Sequence, residues 1–322
     1  MRRLSVIFAL AALCGASPLP AQDQSETTPE GCVVEKFKVN SPSMGRDIEV
    51  AALVPPGYAG GSGKLPVLYA LHGKDAPYLS FTQMNVLRKF LVDHPMLVVV
   101  FDADKDSCYI DSRHRPKSLF TTFYFKELVP AINKRYRTDG RMAVTGFSMG
   151  GYGAIHYLLE QPGLFSSVSA MSGAFELFDE KREKSGQWRP WLEGLMGPLE
   201  QNRPAYEAVL LEPRIEKTVA SGTKLPPLLM LCGTDDFLFS SNRRFIDFLQ
   251  SVNAREMAKR APELEAITDA KERRTRKAAI QKASLIDFEY RETPGAHDWP
   301  YWSQAIAAVA EFHWRYFGAS KN

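Results

Sequence analysis

The chain is poor in cysteine and has no large excess of charge of either sign. Four cysteines occur in 322 residues, which is too few for the disulfide framework of a small secreted domain. The formal net charge is +3, from 40 basic and 37 acidic residues, which is not the charge balance of a nucleic-acid-binding protein, so we predict no nucleic-acid partner. Hydrophobic residues make up 45% of the chain, which is enough for the core of a globular protein.

Beyond the first 21 residues, the sequence has no apolar run long enough to cross a bilayer. The apolar run of residues 4–13 follows Arg2 and Arg3, is too short for a membrane anchor, and is followed by a small residue, Ala21. This pattern predicts a signal peptide over residues 1–21 and an exported, periplasmic or extracellular protein without stable membrane insertion. Its removal lowers the net charge from +3 to +1, because Arg2 and Arg3 leave with it.

Three cysteines remain after the signal peptide, so at most one internal disulfide can form. Cys32 with Cys108 is the pair that an oxidising compartment would favour, and the sequence leaves open whether the two are bridged. Cys232 ends the apolar run of residues 228–231, so we expect a buried free thiol there.

Several cofactor and metal motifs are also missing. The chain has no zinc-protease motif, no phosphate-binding glycine loop and no dinucleotide fingerprint. The D-x-D-x-D pattern of residues 102–106 begins like a calcium loop, but Ser107 stands where glycine is required and Arg113 where glutamate is required. We therefore predict no metal and no cofactor.

Short apolar runs alternate with helical patterns along the rest of the chain. Strands are predicted at residues 48–54, 67–71, 97–101, 142–145, 168–171, 228–232 and 286–290. Helices are predicted at residues 83–92, 123–135, 150–160, 242–251 and 304–316. This alternation predicts one α/β domain over residues 22–322, with a mainly parallel, doubly wound sheet and helices on both faces. Residues 22–31 are polar and predicted to be a flexible N-terminus.

Two segments interrupt the alternation. Residues 175–223 are long and rich in tryptophan and proline, and we expect them to form a cap beside the functional site. Residues 253–282 are dense in charge and poor in helix breakers, which predicts a long helix or a helical pair. This insertion is either a solvated surface element or a contact with a partner, such as a second copy in a homo-oligomer.

The most informative motif is G-x-S-x-G at residues 146–150. It lies between a predicted strand and a helix of small residues, the context of a nucleophile elbow with Ser148 as the nucleophile. The glycines leave room for a strained turn, and the start of the helix directs its N–H groups towards the serine. The backbone N–H of Met149 is therefore a candidate donor for an oxyanion hole.

A serine nucleophile needs a histidine base and an acid that orients it. On this kind of sheet the chain order is serine, acid, histidine, and only His297 and His313 follow both other candidates. His297 lies in a loop after the last predicted strand, where the site should be, whereas His313 lies inside a predicted helix. Asp235 and Asp236 follow the preceding strand, and position alone does not choose between them.

Three blocks, at residues 148–154, 232–238 and 294–299, resemble the esterase D branch of the α/β-hydrolases. That branch includes S-formylglutathione hydrolases, tributyrin esterases, feruloyl esterases and antigen 85-like mycolyltransferases. The likeness extends over about residues 47–317, with Cys108 where the family usually has tryptophan. The resemblance implies Asp236 as the acid and the backbone N–H of Lys74 as the second oxyanion donor. For His72, in the same loop, we expect a structural hydrogen bond rather than a catalytic role.

The resemblance also implies an activity. We expect an exported serine carboxylesterase that forms an acyl-enzyme intermediate on Ser148 and acts on small-molecule or carbohydrate-linked esters. One alternative is an acyltransferase of the antigen 85 type, in which an alcohol replaces water. Another is a catalytically inactive hydrolase fold used for binding, although a binding module does not need all three blocks.

Overall fold

A nine-stranded mixed sheet runs through the described part of the protein. The computed structural model describes residues 24–178 and 189–319, so the predicted signal peptide lies outside the described residues. The strands are β1 (Gln24–Thr27), β2 (Val33–Ser41), β3 (Arg46–Val54), β4 (Leu65–Leu71), β5 (Leu97–Phe101), β6 (Thr138–Gly146), β7 (Ser167–Met171), β8 (Leu228–Gly233) and β9 (Phe288–Thr293). Their spatial order is β1-β2-β3-β5-β4-β6-β7-β8-β9.

The sheet has an antiparallel edge and a parallel centre. Strands β1, β2, β3 and β5 pair antiparallel, whereas β5, β4, β6, β7, β8 and β9 pair parallel. The parallel strands β5, β7 and β8 are buried at every position, as expected for strands that helices cover on both faces. The predicted fold class, a mainly parallel α/β sheet, is confirmed.

Helices follow most of the parallel strands. They are α1 (Asn85–Asp93), α2 (Phe120–Thr122), α3 (Val129–Arg135), α4 (Met149–Glu160), α5 (Arg189–Met196), α6 (Leu199–Glu207), α7 (Leu211–Ala220), α8 (Phe239–Glu265), α9 (Ala270–Ser284) and α10 (Trp299–Ala319). A π-helical turn, Phe123–Leu128, joins α2 to α3. No helix in the described ranges is both long enough and apolar enough to cross a membrane.

Alternate residues of β5 enter two separate cores. Leu97, Val99 and Phe101 face the core that α3, α4 and α7 cover. Val98 and Val100 face the core that α1 and α10 cover. Since successive side chains of a strand point to opposite faces, one apolar run supplies both layers, which explains its lack of polar alternation.

The sequence did not predict the first two strands. Residues 24–27 fall in the segment predicted to be flexible, yet they form β1, paired antiparallel with β2. That prediction is wrong for these residues. All four side chains of β1 are exposed, so the strand forms through backbone pairing and leaves no apolar signal in the sequence. Strand β2 buries alternate positions only in part.

The two segments that interrupt the alternation are helical in the structure. Helices α5, α6 and α7 lie within the predicted cap, of which residues 179–188 lie outside the described ranges. Helix α8 absorbs the helix predicted at residues 242–251 and continues to Glu265, and α9 packs back against it. From residue 254 to 283 most side chains are exposed, because this hairpin extends away from the sheet.

Candidate active site

Ser148 lies in a strained turn at the carboxyl end of β6. Its φ and ψ are 56° and −118°, in the left-handed half of conformational space that non-glycine residues avoid. A Cβ on Gly146 would lie 2.3 Å from the carbonyl carbon of Gly150, and one on Gly150 would lie 2.0 Å from the Leu71 oxygen. Only glycine fits at both positions, so the turn can present Ser148 at the start of α4.

His297 lies within hydrogen-bond distance of both Ser148 and Asp236. Ser148 Oγ is 2.9 Å from His297 Nε2, and His297 Nδ1 is 2.9 Å from each carboxylate oxygen of Asp236. The three residues follow β6, β9 and β8, whose carboxyl ends meet at one edge of the sheet. The Asp236 side chain is fully buried, and 14% of the His297 side chain is exposed. The imidazole is therefore partly accessible to solvent, whereas the carboxylate that it bonds is shielded from solvent.

The two adjacent aspartates have different surroundings. Asp235 is exposed, and its backbone N–H donates to the Gly295 oxygen. Asp236 accepts hydrogen bonds from His297 and from the backbone N–H of Leu238, at 2.7 Å. Burial by itself would raise the pKa of Asp236, but hydrogen bonds from His297, Ser172 and Leu238 outweigh it, so the pKa lies below its ordinary value. Asp236 therefore stays ionised beside the imidazole.

The loop after β4 also approaches Ser148. A Cβ on Gly73 would lie 3.4 Å from the Ser148 Cβ and 2.6 Å from the Phe147 ring. Within the described ranges, no acceptor takes a hydrogen bond from the backbone N–H of Met149 or of Lys74. Both predicted oxyanion donors thus lie on segments next to Ser148 with their N–H groups available. The Lys74 ammonium pairs with Asp75 and lies 5.5 Å above the Trp191 ring.

His72 is buried behind that loop. Its Nδ1 is 2.8 Å from the Gly73 oxygen, and its Nε2 accepts from the Ala103 N–H at 3.1 Å. Burial lowers the pKa of His72, so the ring is neutral, with Nδ1–H as the donor. Both ring nitrogens are engaged in shaping the loop, which agrees with a structural role.

Sequence reasoning missed two residues behind the site, Ser172 and Trp302. Ser172 directly follows β7, is fully buried and has a φ of 50°, and its hydroxyl contributes to the lowered pKa of Asp236. The Trp302 Nε1–H donates to Ser172 Oγ at 3.1 Å. The Trp302 ring also stacks on Phe147 at 4.5 Å and meets His297 edge-on at 5.0 Å. No local motif marks Ser172, because only the pairing of β7 with β8 brings it beside Asp236.

Two aromatic side chains at the mouth of the site are exposed to solvent. Phe237 is 65% exposed and Trp299 is 40% exposed. The Phe237 ring lies 4.4 Å from the His297 ring, and the Trp299 ring lies 5.2 Å from that of Phe147. Both residues fall inside blocks that the sequence singled out, but a sequence pattern does not report exposure.

His313 also contacts serines, but in the interior. Its Nδ1 lies 2.7 Å from Ser167 Oγ, and its Nε2 lies 2.8 Å from Ser169 Oγ. All three residues are fully buried, and burial lowers the pKa of His313 to about 3. The imidazole is a neutral hydrogen-bonding group of the core, so the structure does not bring His313 to the site.

Other polar groups that could have held a metal are engaged elsewhere. Asp104 forms a bidentate pair with Arg46, and Asp106 forms one with Arg115. No group of three or more potential metal ligands occurs among the residues that the structure describes. The three described cysteines are buried free thiols, so Cys32 and Cys108 are not bridged, and Cys232 is buried and free as predicted.

Comparison with known proteins places this geometry in a family. The model of the family described as Putative esterase matches residues 41–313. An esterase of Mycobacterium tuberculosis is 32% identical over 150 residues, which are 44% of this chain and 32% of that protein. The match therefore spans about a third of that relative's length. An acetyl esterase of Caldicellulosiruptor saccharolyticus is 24% identical over 266 residues, covering 78% of this chain and 84% of that one.

A solved structure supports the same fold. The S-formylglutathione hydrolase from Agrobacterium tumefaciens superposes with a TM-score of 0.67 and covers 91% of this chain and 98% of its own. The sequence identity is 19%, so this likeness concerns the fold alone.

Proposed function

The chain belongs to the putative esterase family, and on that premise we propose that it is an exported serine carboxylesterase. One observation carries the proposal. The hydroxyl of Ser148, in a strained turn, lies 2.9 Å from an imidazole whose other nitrogen bonds a buried carboxylate. A serine hydroxyl is a weak nucleophile unless a base removes its proton, and this arrangement supplies the base.

The proposed reaction has two stages. Ser148 Oγ attacks the ester carbonyl carbon while His297 Nε2 accepts the hydroxyl proton, and Asp236 stabilises the resulting imidazolium. The carbonyl oxygen becomes an oxyanion, which the N–H groups of Met149 and Lys74 would bind. When the tetrahedral intermediate collapses, the bond to the leaving oxygen breaks, and His297 returns its proton to the departing alcohol.

Water completes the cycle. His297, now neutral, removes a proton from a water molecule that attacks the acyl carbon on Ser148. A second tetrahedral intermediate forms on the same oxyanion donors and collapses to release the carboxylic acid, while His297 returns the proton to Ser148. The pKa of Asp236 lies below its ordinary value, which keeps the carboxylate charged in both stages.

Active-site labelling tests the proposal. The protein from residue 22 onwards is incubated with a fluorophosphonate, and the modified peptide is identified by mass spectrometry. We expect one adduct on Ser148, none in a Ser148→Ala variant, and normal labelling in the matched variant Ser167→Ala. Absence of an adduct on Ser148 in the folded wild-type protein would contradict the proposed nucleophile.

A product assay then separates hydrolysis from acyl transfer. A p-nitrophenyl ester is turned over in the presence of increasing concentrations of an alcohol, and the acid and the new ester are quantified. Water as the acceptor predicts that acid remains the dominant product. Dominance of the new ester at millimolar alcohol would instead favour an acyltransferase.

Export is the part of the proposal that rests on residues 1–21. The basic start, the short apolar run and Ala21 support a cleaved signal peptide. Expression of the full chain in a bacterium, fractionation, and N-terminal sequencing of the product test it. We expect a product outside the cytoplasm that begins near Gln22, whereas an intact Met1 in the cytoplasm would contradict export.

A further inference from the structure

Each loop that carries the histidine or the acid of the site also carries an exposed aromatic residue. Phe237 directly follows Asp236, and Trp299 lies two residues after His297. Three large apolar side chains are exposed in the described ranges, and these are two of them. Single exposed apolar residues are ordinary on protein surfaces. Two of the three exposed large apolar side chains lie together at the entrance of this site, and that clustering requires an explanation.

The two rings lie on the histidine side of the site. Phe237 lies 4.4 Å from the His297 ring, and Trp299 lies 5.5 Å from the ring of Trp302, which itself meets His297 at 5.0 Å. The loop after β4 also borders Ser148, and Lys74 in that loop pairs with Asp75. In the described ranges, the large apolar side chains that are exposed beside His297 are therefore Phe237 and Trp299.

The proposed chemistry assigns a substrate group to the aromatic side. His297 Nε2 must reach the leaving oxygen to protonate it, so the first atoms of the alcohol lie beside His297. The carbonyl oxygen points instead towards Met149 and Lys74. The alcohol portion of the ester thus extends from the His297 side of the site, where Phe237 and Trp299 are exposed.

We propose that Phe237 and Trp299 form a leaving-group subsite that binds a planar, apolar alcohol portion of the ester, such as an aryl group. This inference rests on the proposed function. Aromatic rings gain from offset or edge-to-face contact with a second ring, in addition to the burial of apolar surface. A site with such side chains selects through kcat/KM, because the contact persists while the leaving bond breaks.

Two isomeric esters test which half of the substrate the aromatic residues bind. In 2-naphthyl acetate the ring is on the alcohol, whereas in methyl 2-naphthoate it is on the acyl group. Methyl acetate has no ring and reports the basal chemistry. The variants are Phe237→Ala, Trp299→Ala and their combination, and Val92→Ala is the matched control, since Val92 is the third exposed apolar residue and lies on α1.

The result is expressed as the ratio of variant to wild-type kcat/KM, so differences in intrinsic ester reactivity cancel. For 2-naphthyl acetate we expect a loss of about 10-fold in each single variant and a larger loss in the double variant. For methyl acetate and methyl 2-naphthoate we expect a change below about 3-fold. An ester too slow for turnover is measured as a competitive inhibitor through its inhibition constant.

Three outcomes would overturn the subsite. A loss of kcat/KM confined to methyl 2-naphthoate would mean that these rings bind the acyl group. An equal loss of kcat/KM for all three esters would mean that the rings position His297. No loss for any ester would mean that the rings have no binding role. Failure of the proposed function looks different, because the wild-type protein would then neither hydrolyse any of these esters nor take a fluorophosphonate on Ser148. Both residues are exposed, so the variants should fold, and their circular dichroism and Tm verify this.

Discussion

Two histidines in this protein contact serines at almost the same distance, yet only one cluster has the properties of a reactive site. His297 lies 2.9 Å from Ser148, and His313 lies 2.7 Å from Ser167 and 2.8 Å from Ser169. The first cluster follows the carboxyl ends of the strands and is partly exposed. The second lies between β7 and α10 and is fully buried.

The surroundings of each imidazole explain the difference. His297 bonds a buried, ionised Asp236, which stabilises the imidazolium that forms when the ring accepts a proton. His313 has serines at both nitrogens, and burial lowers its pKa to about 3, so it is too weak a base to activate a hydroxyl at neutral pH. Contact with an imidazole is therefore not sufficient to make a serine a nucleophile. The imidazole also needs a charged partner, and the serine must be accessible to substrate.

Removal of a serine hydroxyl from each cluster should give the largest difference in kcat between the two clusters. We expect Ser148→Ala to lower kcat for a short-chain p-nitrophenyl ester by about 10⁴-fold or more, because the nucleophile is lost. Ser167→Ala should leave kcat within about 3-fold and lower the Tm, because a buried hydrogen bond is lost. Similar losses of kcat in the two variants would contradict the distinction.

The two adjacent carboxylates provide a second contrast. Asp236→Asn should lower kcat by about 10³–10⁴-fold, because an amide neither stabilises the imidazolium nor selects the correct tautomer. Asp235→Asn should change kcat by less than about 3-fold, since Asp235 is exposed and bonds through its backbone. Steady-state kinetics on both purified variants decides the ranking, and the reverse order would assign the acid to Asp235.

Two serines in or directly after β7 test whether the hydroxyl beside Asp236 contributes to kcat. Ser172→Ala should lower kcat by roughly 10-fold at nearly constant KM, because the buried Asp236 carboxylate loses a neighbouring hydroxyl that helps to lower its pKa. Ser169→Ala removes a hydroxyl that bonds His313 and Thr145 and should leave kcat unchanged. Trp302→Phe keeps the stacking but loses the donor to Ser172, so it should reproduce part of the Ser172→Ala effect.

The buried imidazole should be visible in stability rather than in activity. The pKa of His313 is about 3 in the folded protein, against an ordinary 6.5. Below about pH 6.5 the unfolded chain therefore binds a proton that the folded chain does not, so the free energy of unfolding decreases as the pH is lowered. Between pH 8 and pH 5 this group should cost about 2 kcal/mol of unfolding free energy.

Urea unfolding at the two pH values, on wild type and His313→Gln, measures that cost. The variant should be less stable at pH 8 but should lose less stability towards pH 5. Burial also lowers the pKa values of His72 and His156, so their contribution has the same sign in both proteins and cancels in the difference. An equal pH dependence in the two proteins would show that His313 does not set it.

The helical hairpin should have the smallest effect on catalysis. Asn253 bonds the backbone N–H and oxygen of Ile286 through its side chain, so these residues mark where the hairpin leaves the domain. Replacing residues 256–283 by a short Gly-Ser linker should leave kcat/KM on small esters within about 3-fold. The apparent mass in solution distinguishes a solvated insertion, with unchanged mass, from an assembly element. Loss of activity in a folded deletion variant would instead link the hairpin to the site.

The sequence alone determined the fold class, the family and the order of the chemical blocks. Alternating buried strands and helices predicted the mainly parallel sheet, and the family model confirms the predicted esterase resemblance over residues 41–313. Glycine spacing and strand-turn-helix context selected Ser148. Chain order left His297 and His313, and the predicted loop position favoured His297 over His313, which lies in a predicted helix. Strand β1 escaped prediction, since its exposed side chains leave no periodic signal.

Only the tertiary structure decided which groups meet. It brings Asp236, and not the exposed Asp235, to His297, a choice that the sequence made only through the family resemblance. It also brings Ser172 and Trp302 behind the carboxylate and leaves Phe237 exposed at the mouth. These contacts join residues up to 130 positions apart, and their directions depend on strand order and packing, which no local pattern in a single sequence encodes.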